Sequence, residues 1–208
     1  RKSLLVWIVL ILLFFFFNQE QKLIKTETIN TIDLFQYKTG NSWIYEVTFF
    51  HEDSTLSPTI SNDTITVLGD SVIRGNVYKT IRYTQLGSPN ITFYRDSSGF
   101  LIDNSGKIIF SLINSGLQFN HKTILNGIDT IFSSFDVTDR TLRNVVIPFG
   151  NFNAFKKTSF ITTHLNNELI RRTANSFYAS GIGLISFNKF FLGTKKGDIT
   201  WNLVKIEF

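Results

Sequence analysis

Residues 43–49 have the sequence WIYEVTF, in which large apolar residues recur at every second position. Successive side chains of a β-strand point to opposite faces, so a period of two places these residues on one face. They are Trp43, Tyr45, Val47 and Phe49. The stretch predicts a strand with one buried face, and the chain downstream repeats the same pattern.

Short runs of this kind continue to residue 208, separated by turn signals. One is Asn104-Ser105-Gly106, between Phe100–Asp103 and Lys107–Leu112, a hairpin loop of the kind that supplies positive φ. About ten such strands predict an all-β fold with a single antiparallel, curled sheet. A half-barrel, a barrel and a sandwich all remain open. A helix over residues 26–37 is a weaker alternative for the segment before the strands.

Composition supports this class. Ala occurs 3 times and Met never, whereas Ile, Val and Thr occur 25, 10 and 22 times, so strand formers outnumber helix formers. The absence of Cys excludes a disulfide framework, a thiol nucleophile and a lipid-modified Cys in this sequence. Charged residues are 18% and hydrophobic ones 43%, which excludes a disordered polyelectrolyte.

The first residues have the pattern of an export signal. Leu4–Phe17 is an unbroken apolar run of 14 residues that follows Arg1 and Lys2. Such a run is too short for an ordinary spanning helix, which needs about 20 residues, but fits the core of a signal peptide. Since no small-x-small cleavage site follows, an uncleaved signal anchor stays an alternative. We therefore expect a signal segment over 1–17, a polar tether over 18–40 and one β-domain over 41–208.

Metal and nucleophile motifs are weak. His51-Glu52-Asp53 is the nearest approach to a metal site, but adjacent strand residues alternate direction, so a solvated loop is the better interpretation. Gly69-Asp70-Ser71 matches the block around an esterase nucleophile, yet no Asp-x-x-His follows to supply a base. We therefore expect Ser71 to be a hairpin residue, and we predict no metal, no cofactor and no catalytic residue.

A hydrolase with an unrecognised site would need a carboxylate beside a histidine. The carboxylates in or beside predicted strands are Glu46, Glu168 and Glu207, and the histidines are His121 and His164. The basic doublets at residues 156–157, 171–172 and 195–196 could form a basic patch, but strand neighbours point to opposite faces, and charges that protect an edge strand explain the doublets equally well. Without residues 1 and 2 the net charge falls from +5 to +3, so we expect no nucleic-acid partner.

The aromatic content is the one hint of function. Residues 18–208 contain 18 of the 22 phenylalanines, enough to fill a core or to line a cavity inside a curled sheet. The candidate ligand-binding residues, which serve equally well as core, are Trp43, Tyr45, Phe149, Phe152, Tyr178 and Trp201.

Three stretches carry a resemblance. Residues 37–46 contain Gly-Asn-x-Trp-x-Tyr, residues 146–155 a Pro-x-Gly-x-Phe segment, and residues 178–185 the block Tyr-Ala-Ser-Gly-Ile-Gly-Leu-Ile. Together they resemble secreted β-sheet envelope proteins of bacteroidete bacteria, with Ser180 and Ser186 replacing the usual Pro and Lys. The resemblance implies an envelope protein with a curled antiparallel sheet, and it supplies no activity and no catalytic residues.

These observations predict a non-catalytic exported protein that is periplasmic, at the cell surface or membrane-anchored. Its expected partner is a lipid, another apolar small molecule or an envelope protein bound on one face of the sheet. The alternative is a structural or assembly module anchored to the membrane by residues 4–17, and an unrecognised hydrolase ranks last. A cavity of about 300 Å³ or more would favour the ligand carrier.

Overall fold

The computed structural model describes residues 35–50, 57, 61–113, 115–126, 129–165, 168–190 and 198–208. All regular secondary structure within these ranges is β-strand. The apolar run 4–17, most of the predicted tether and the His51–Asp53 cluster lie outside the described residues. Of the helical alternative at 26–37, only residues 35–37 are described, and they are not helical.

No helix of the described ranges has the length and hydropathy needed to cross a membrane.

The sheet has twelve strands in the described residues. In chain order they are β1 (Ser42–Phe50), β2 (Ser61–Ile73), β3 (Asn76–Gln85), β4 (Ser88–Ser97), β5 (Phe100–Asp103), β6 (Ile108–Ser111), β7 (Gln118–Asn126), β8 (Asp129–Ile147), β9 (Gly150–Leu165), β10 (Glu168–Ala179), β11 (Gly183–Phe190) and β12 (Asp198–Glu207).

Their order in space is β6-β5-β4-β3-β2-β1-β12-β11-β10-β9-β8-β7, and every pairing is antiparallel. Two meanders, β1–β6 and β7–β12, are thus joined side by side through the β1–β12 pair. The predicted all-β fold with a single antiparallel sheet is confirmed. The sheet is nearly closed into a barrel, with β6 and β7 at its two edges.

The predicted hairpin loop at residues 104–106 is present between β5 and β6. Asp103 Oδ1 accepts hydrogen bonds from the backbone N–H of Ser105 (2.8 Å) and of Lys107 (3.0 Å). Gly106 takes a φ of +89°, a conformation that a side chain would make unfavourable. The loop thus supplies its own hydrogen bonds and needs no support from the rest of the sheet.

The interior contains two apolar clusters. The first lies mainly along the β1–β12 pair and includes Ile147 and Ala154 from β8 and β9, so curling brings distant strands together. The backbone N–H of Phe149, between β8 and β9, donates to the carbonyl of Leu203 on β12 (3.2 Å). The second cluster consists of Phe35, Leu101, Phe110, Leu112, Phe155 and Tyr178.

The two edge strands meet along a seam that side chains close. No ladder joins β6 to β7 in the ranges described. Instead, the Asn120 side-chain amide donates to the carbonyl of Ile108 (2.5 Å), and its oxygen accepts the N–H of the same residue (3.1 Å). Further along, Arg140 Nε donates to the carbonyl of Leu112 (2.9 Å). The Asn120 amide therefore substitutes for a neighbouring strand.

A buried polar group supports the seam from inside. Asn120 Nδ2 also donates to Asp136 Oδ2 (2.8 Å), and Ser159 donates to the other oxygen of this carboxylate. Lys157 Nζ lies 3.9 Å from Asp136 Oδ2 and donates to the carbonyl of Ile109 (2.8 Å). Burial lowers the pKa of the Lys157 ammonium, and the Asp136 carboxylate opposes that shift.

A second buried carboxylate, Asp63 on β2, forms hydrogen bonds to β12 and to the turn between β3 and β4. It is 2% exposed and accepts hydrogen bonds from the indole of Trp201 (2.7 Å) and from the backbone N–H groups of Leu86 (2.8 Å) and Gly87 (3.0 Å). Burial alone would raise the pKa of Asp63, but these donors outweigh it and hold the pKa below its usual value.

Replacing Asn120 tests the seam. We expect Asn120→Gly, which keeps the positive φ of 53° accessible, to lower the free energy of unfolding by about 2 kcal/mol, because two backbone groups lose their partner. Amide exchange at Ile108 should accelerate in the same variant. Arg74→Gly, at an exposed turn position with a positive φ of 50°, is the matched control for the glycine itself. If both variants lost the same free energy of unfolding in urea, the proposed role of Asn120 in joining β6 to β7 would be wrong.

Replacing Asp63 tests the second anchor. Because the pKa of Asp63 is lower in the folded than in the unfolded chain, its stabilisation is complete above about pH 4 and is lost as the pH falls through the folded value. We expect Asp63→Asn to cost about 2 kcal/mol at pH 7 and to flatten the loss of stability below pH 4. Urea unfolding across this range checks it, with Glu207→Gln as an exposed control. An Asp63→Asn profile parallel to wild type would refute the assignment.

Candidate functional site

A cavity lies between the segment before β1 and strands β3–β5. Its volume is about 410 Å³, within the range of small-molecule sites and above the 300 Å³ expected of a carrier. We call residues 35–38 the strap and this space the strap cavity. The cavity is lined by Phe35, Gln36, Tyr37, Lys38, Lys79, Tyr94, Arg95, Asp96 and Leu101.

The strap is held by backbone groups rather than by a regular element. The N–H groups of Tyr37 and Lys38 donate to carbonyls two residues earlier (2.9 and 2.8 Å). The Asn41 side chain donates to the carbonyl of Gln36 (2.8 Å), and the N–H of Gly40 donates to the carbonyl of Val67 on β2 (2.9 Å). Residues 35–40, which the sequence assigned to the tether, thus lie against the sheet.

Aromatic rings form the walls of the cavity. Tyr37 stacks on Phe35 with ring centroids 5.0 Å apart, and its ring lies 6.4 Å from that of Tyr94. Leu101 is 2% exposed and pairs with Asp96, two residues beyond Tyr94, so strand alternation places Leu101 on the same face as Tyr94. These four side chains give the cavity an apolar surface that is present before any ligand binds.

The two tyrosine hydroxyls remain protonated. Burial raises the pKa of Tyr37, and the neighbouring Tyr94 raises it further. Burial likewise raises the pKa of Tyr94, against a hydrogen bond with Thr92 that lowers it. At physiological pH the walls therefore carry neutral hydroxyls and no anionic group from these residues.

Charged groups surround the mouth. Lys79 is the cross-strand partner of both Asp70 and Tyr94, and its Nζ lies 2.6 Å from Asp70 Oδ1. Lys38 is exposed at the end of the strap. Arg95 alternates to the opposite face of β4, where its guanidinium lies 5.5 Å from the centre of the Tyr78 ring.

The aromatic residues singled out in the sequence lie mostly in the cores. Trp43 Nε1 donates to the carbonyl of Ile182 (2.8 Å), and the hydroxyl of Tyr45 donates to that of Leu184 (2.7 Å). Trp201 is 1% exposed and bonds to Asp63. The structure thus brings Trp43, Tyr45 and Trp201 together in the first cluster.

The other three candidates are more dispersed. Tyr178 is buried in the second cluster against Phe110, with ring centroids 4.3 Å apart. Phe152 packs against the first cluster and stacks on Phe149, which is 40% exposed. None of the six is among the residues that line the strap cavity, and their role in ligand binding stays a prediction.

Sequence reasoning missed the four wall residues. Leu101 belongs to the predicted strand Phe100–Asp103, whereas no strand was predicted over residues 88–97, which include Tyr94. Phe35 and Tyr37 alternate over only three residues in a polar stretch, a signal too short to distinguish from a tether.

The residues considered for catalysis do not come together in one site. Ser71 shares a hydrogen bond with Thr80 (2.8 Å) within the β2–β3 hairpin. Glu46 on β1 lies opposite Asn62 and Asn202, whereas His121 on β7 stacks on a phenylalanine ring.

The remaining candidates are exposed. Glu168 and His164 occupy the exposed end of the β9–β10 hairpin, and Glu207 bonds to Lys205 (2.7 Å). Among the residues described, no three His, Cys, Asp or Glu side chains group as metal ligands.

No family model matches the sequence, and no curated protein does. Two crystal structures are similar in fold at 12% sequence identity, each covering 84% of this chain and 98% of its own. One is a "putative exported protein with YmcC-like fold" from Bacteroides fragilis (TM-score 0.51), and the other a "putative lipoprotein" from Parabacteroides distasonis (TM-score 0.50). The likeness establishes the fold: this chain is a single curled antiparallel sheet of the YmcC-like kind.

Proposed function

We propose that this protein is exported to the cell envelope and binds an apolar ligand in the strap cavity. Two features support the location. The sequence begins with a basic pair followed by the apolar run 4–17, and the two proteins of similar fold are named as exported or as a lipoprotein. Periplasmic, cell-surface and membrane-anchored positions are all compatible with these features.

The cavity of about 410 Å³ with preformed aromatic walls is the observation that carries the proposal. Burial of each methylene of a ligand contributes about 0.8 kcal/mol, so micromolar binding, after an association cost of about 4 kcal/mol, needs a chain of about fifteen methylenes. The ring packing of Phe35, Tyr37 and Tyr94 fixes these walls in advance, which reduces the ordering cost.

The polar groups that line the strap cavity favour binding without catalysis. Asp96 Oδ1 accepts the backbone N–H of Gly99 (3.2 Å), and Lys79 pairs with Asp70. A general base has to reach a reacting atom, whereas Asp96 is engaged in holding the turn and no histidine is among the residues that line the cavity. We therefore propose that the protein is not an enzyme.

The second candidate function is an assembly module. Val72 and Val77 face each other across the β2–β3 pair and are 73% and 59% exposed. Such an apolar pair on the sheet surface would suit contact with another envelope protein, with residues 4–17 as the membrane anchor. This function needs no ligand in the strap cavity, so the test below separates the two.

The test is native mass spectrometry of the full chain exported from a bacterial host and purified gently. We expect an added mass that denaturation releases as an apolar molecule. Gln36→Trp, which places an indole at the mouth of the cavity, should reduce the bound fraction at least about fivefold. Gln118→Trp, at an exposed position on β7 outside the cavity, is the matched control and should retain the adduct.

A mass without adduct, together with a solvent extract free of apolar molecules, would overturn the ligand proposal and favour the assembly module. Equal adducts in both tryptophan variants would place the ligand elsewhere in the molecule. A thermal melt of each variant establishes that a lost adduct is not a lost fold.

A further inference from the structure

We propose that the strap cavity selects an amphiphile with one apolar chain and an anionic head group, either a carboxylate or a phosphate. This inference rests on the proposed function and adds the class of ligand. The chain would lie against the four wall residues, and the head group would lie at the mouth beside Lys38 and Lys79.

The positions of the two lysines carry the argument. Lys79 lines the cavity and is the cross-strand partner of Tyr94, so its aliphatic stem lies beside that wall residue, while its ammonium bonds to Asp70. Lys38 directly follows the wall residue Tyr37 and is exposed. The cavity therefore has apolar walls and two lysines among its lining residues.

Asp96 lines the cavity and offsets part of the positive charge of these lysines, whereas Lys38 makes no ion pair among the described residues and stays available to a head group. Asp96 accepts the N–H of Gly99, and Asp103 accepts the N–H groups of its own hairpin loop. Asp70 is paired with Lys79, but an ammonium has three donor hydrogens and can bond a head-group oxygen while it keeps this partner. Arg95 also lines the cavity, but strand alternation directs its guanidinium toward the Tyr78 ring, 5.5 Å from the ring centre.

The size of the cavity favours a single chain. A volume of about 410 Å³ is near the lower end of the range for small-molecule sites, which leaves little room for a second acyl chain. The neutral tyrosine hydroxyls along the walls do not repel an anion that approaches the mouth.

Calorimetric titration of the delipidated full chain tests the head group. The probes are palmitate, palmitoyl-lysophosphatidylglycerol and monopalmitoylglycerol, each below its micelle concentration. We expect the two anionic probes to bind about tenfold more tightly than the neutral one at 20 mM NaCl, and this preference to shrink at 300 mM NaCl. The two anionic arms distinguish a carboxylate from a phosphate source.

Charge variants locate the effect. Lys38→Gln and Lys79→Gln should each weaken palmitate binding about threefold and together about tenfold, with no change for monopalmitoylglycerol. Lys79→Arg should retain the preference, and Lys205→Gln, an exposed lysine on β12, is the control. Melting temperatures check that all variants fold.

The outcomes separate the two proposals. If the neutral probe binds as tightly as the anionic ones, or if the double variant keeps the preference, the head-group assignment fails while the apolar site stands. If no probe binds, the proposed function itself fails.

Discussion

The closure of the sheet depends on one side chain at the seam. A curled sheet brings its two edge strands together, and each edge exposes backbone donors and acceptors that have to be satisfied. Asn120 satisfies both groups of Ile108 with a single amide, and it can do so because its own backbone takes the left-handed conformation at a bulge of β7. Behind it, the Asp136 carboxylate holds the amide in orientation. Without this contact both backbone groups of Ile108 would lose their partner, and the edge at β6 would keep, among the described residues, only the bonds from Lys157 and Arg140.

The interior follows from that closure. Because β6 is held near β8 and β9, Phe110 meets Phe155 and Tyr178, and Phe35 packs among them. Phe35 of the strap is thus part of the second cluster, and the strap cavity lies between the strap and strands β3–β5. Trp43 and Trp201 pack in the β1–β12 region, whereas Tyr37 and Tyr94 line the strap cavity and also pack against both apolar clusters.

Local features were predictable from the sequence, and contacts between distant segments were not. The alternation at Trp43 and Tyr45 and the Asp103–Gly106 loop act within a few residues, so both are visible in the sequence. The role of Asn120 is not, since asparagine is common in any turn and its partner is twelve residues earlier. The candidate site was equally hard to predict. The sequence contains many aromatic residues, but only the fold determines which of them fill the core and which line a cavity. Closure also depends on bulges such as that between Ile44 and Tyr45, which no periodicity reveals.

The pairing of β1 with β12 has a consequence for how the chain acquires its structure. Within each meander, every strand pairs with its neighbour in sequence, so contacts form over short loops. The joint between the meanders is different: Ser42 pairs with Glu207 and Val47 with Trp201, the contacts of highest sequence separation in the sheet. Closing them carries a larger loop-closure entropy than any other pairing in the sheet. The β1 edge has no partner on this side without residues 198–207, and a chain stopped before residue 198 would keep two half-sheets with unpaired edges.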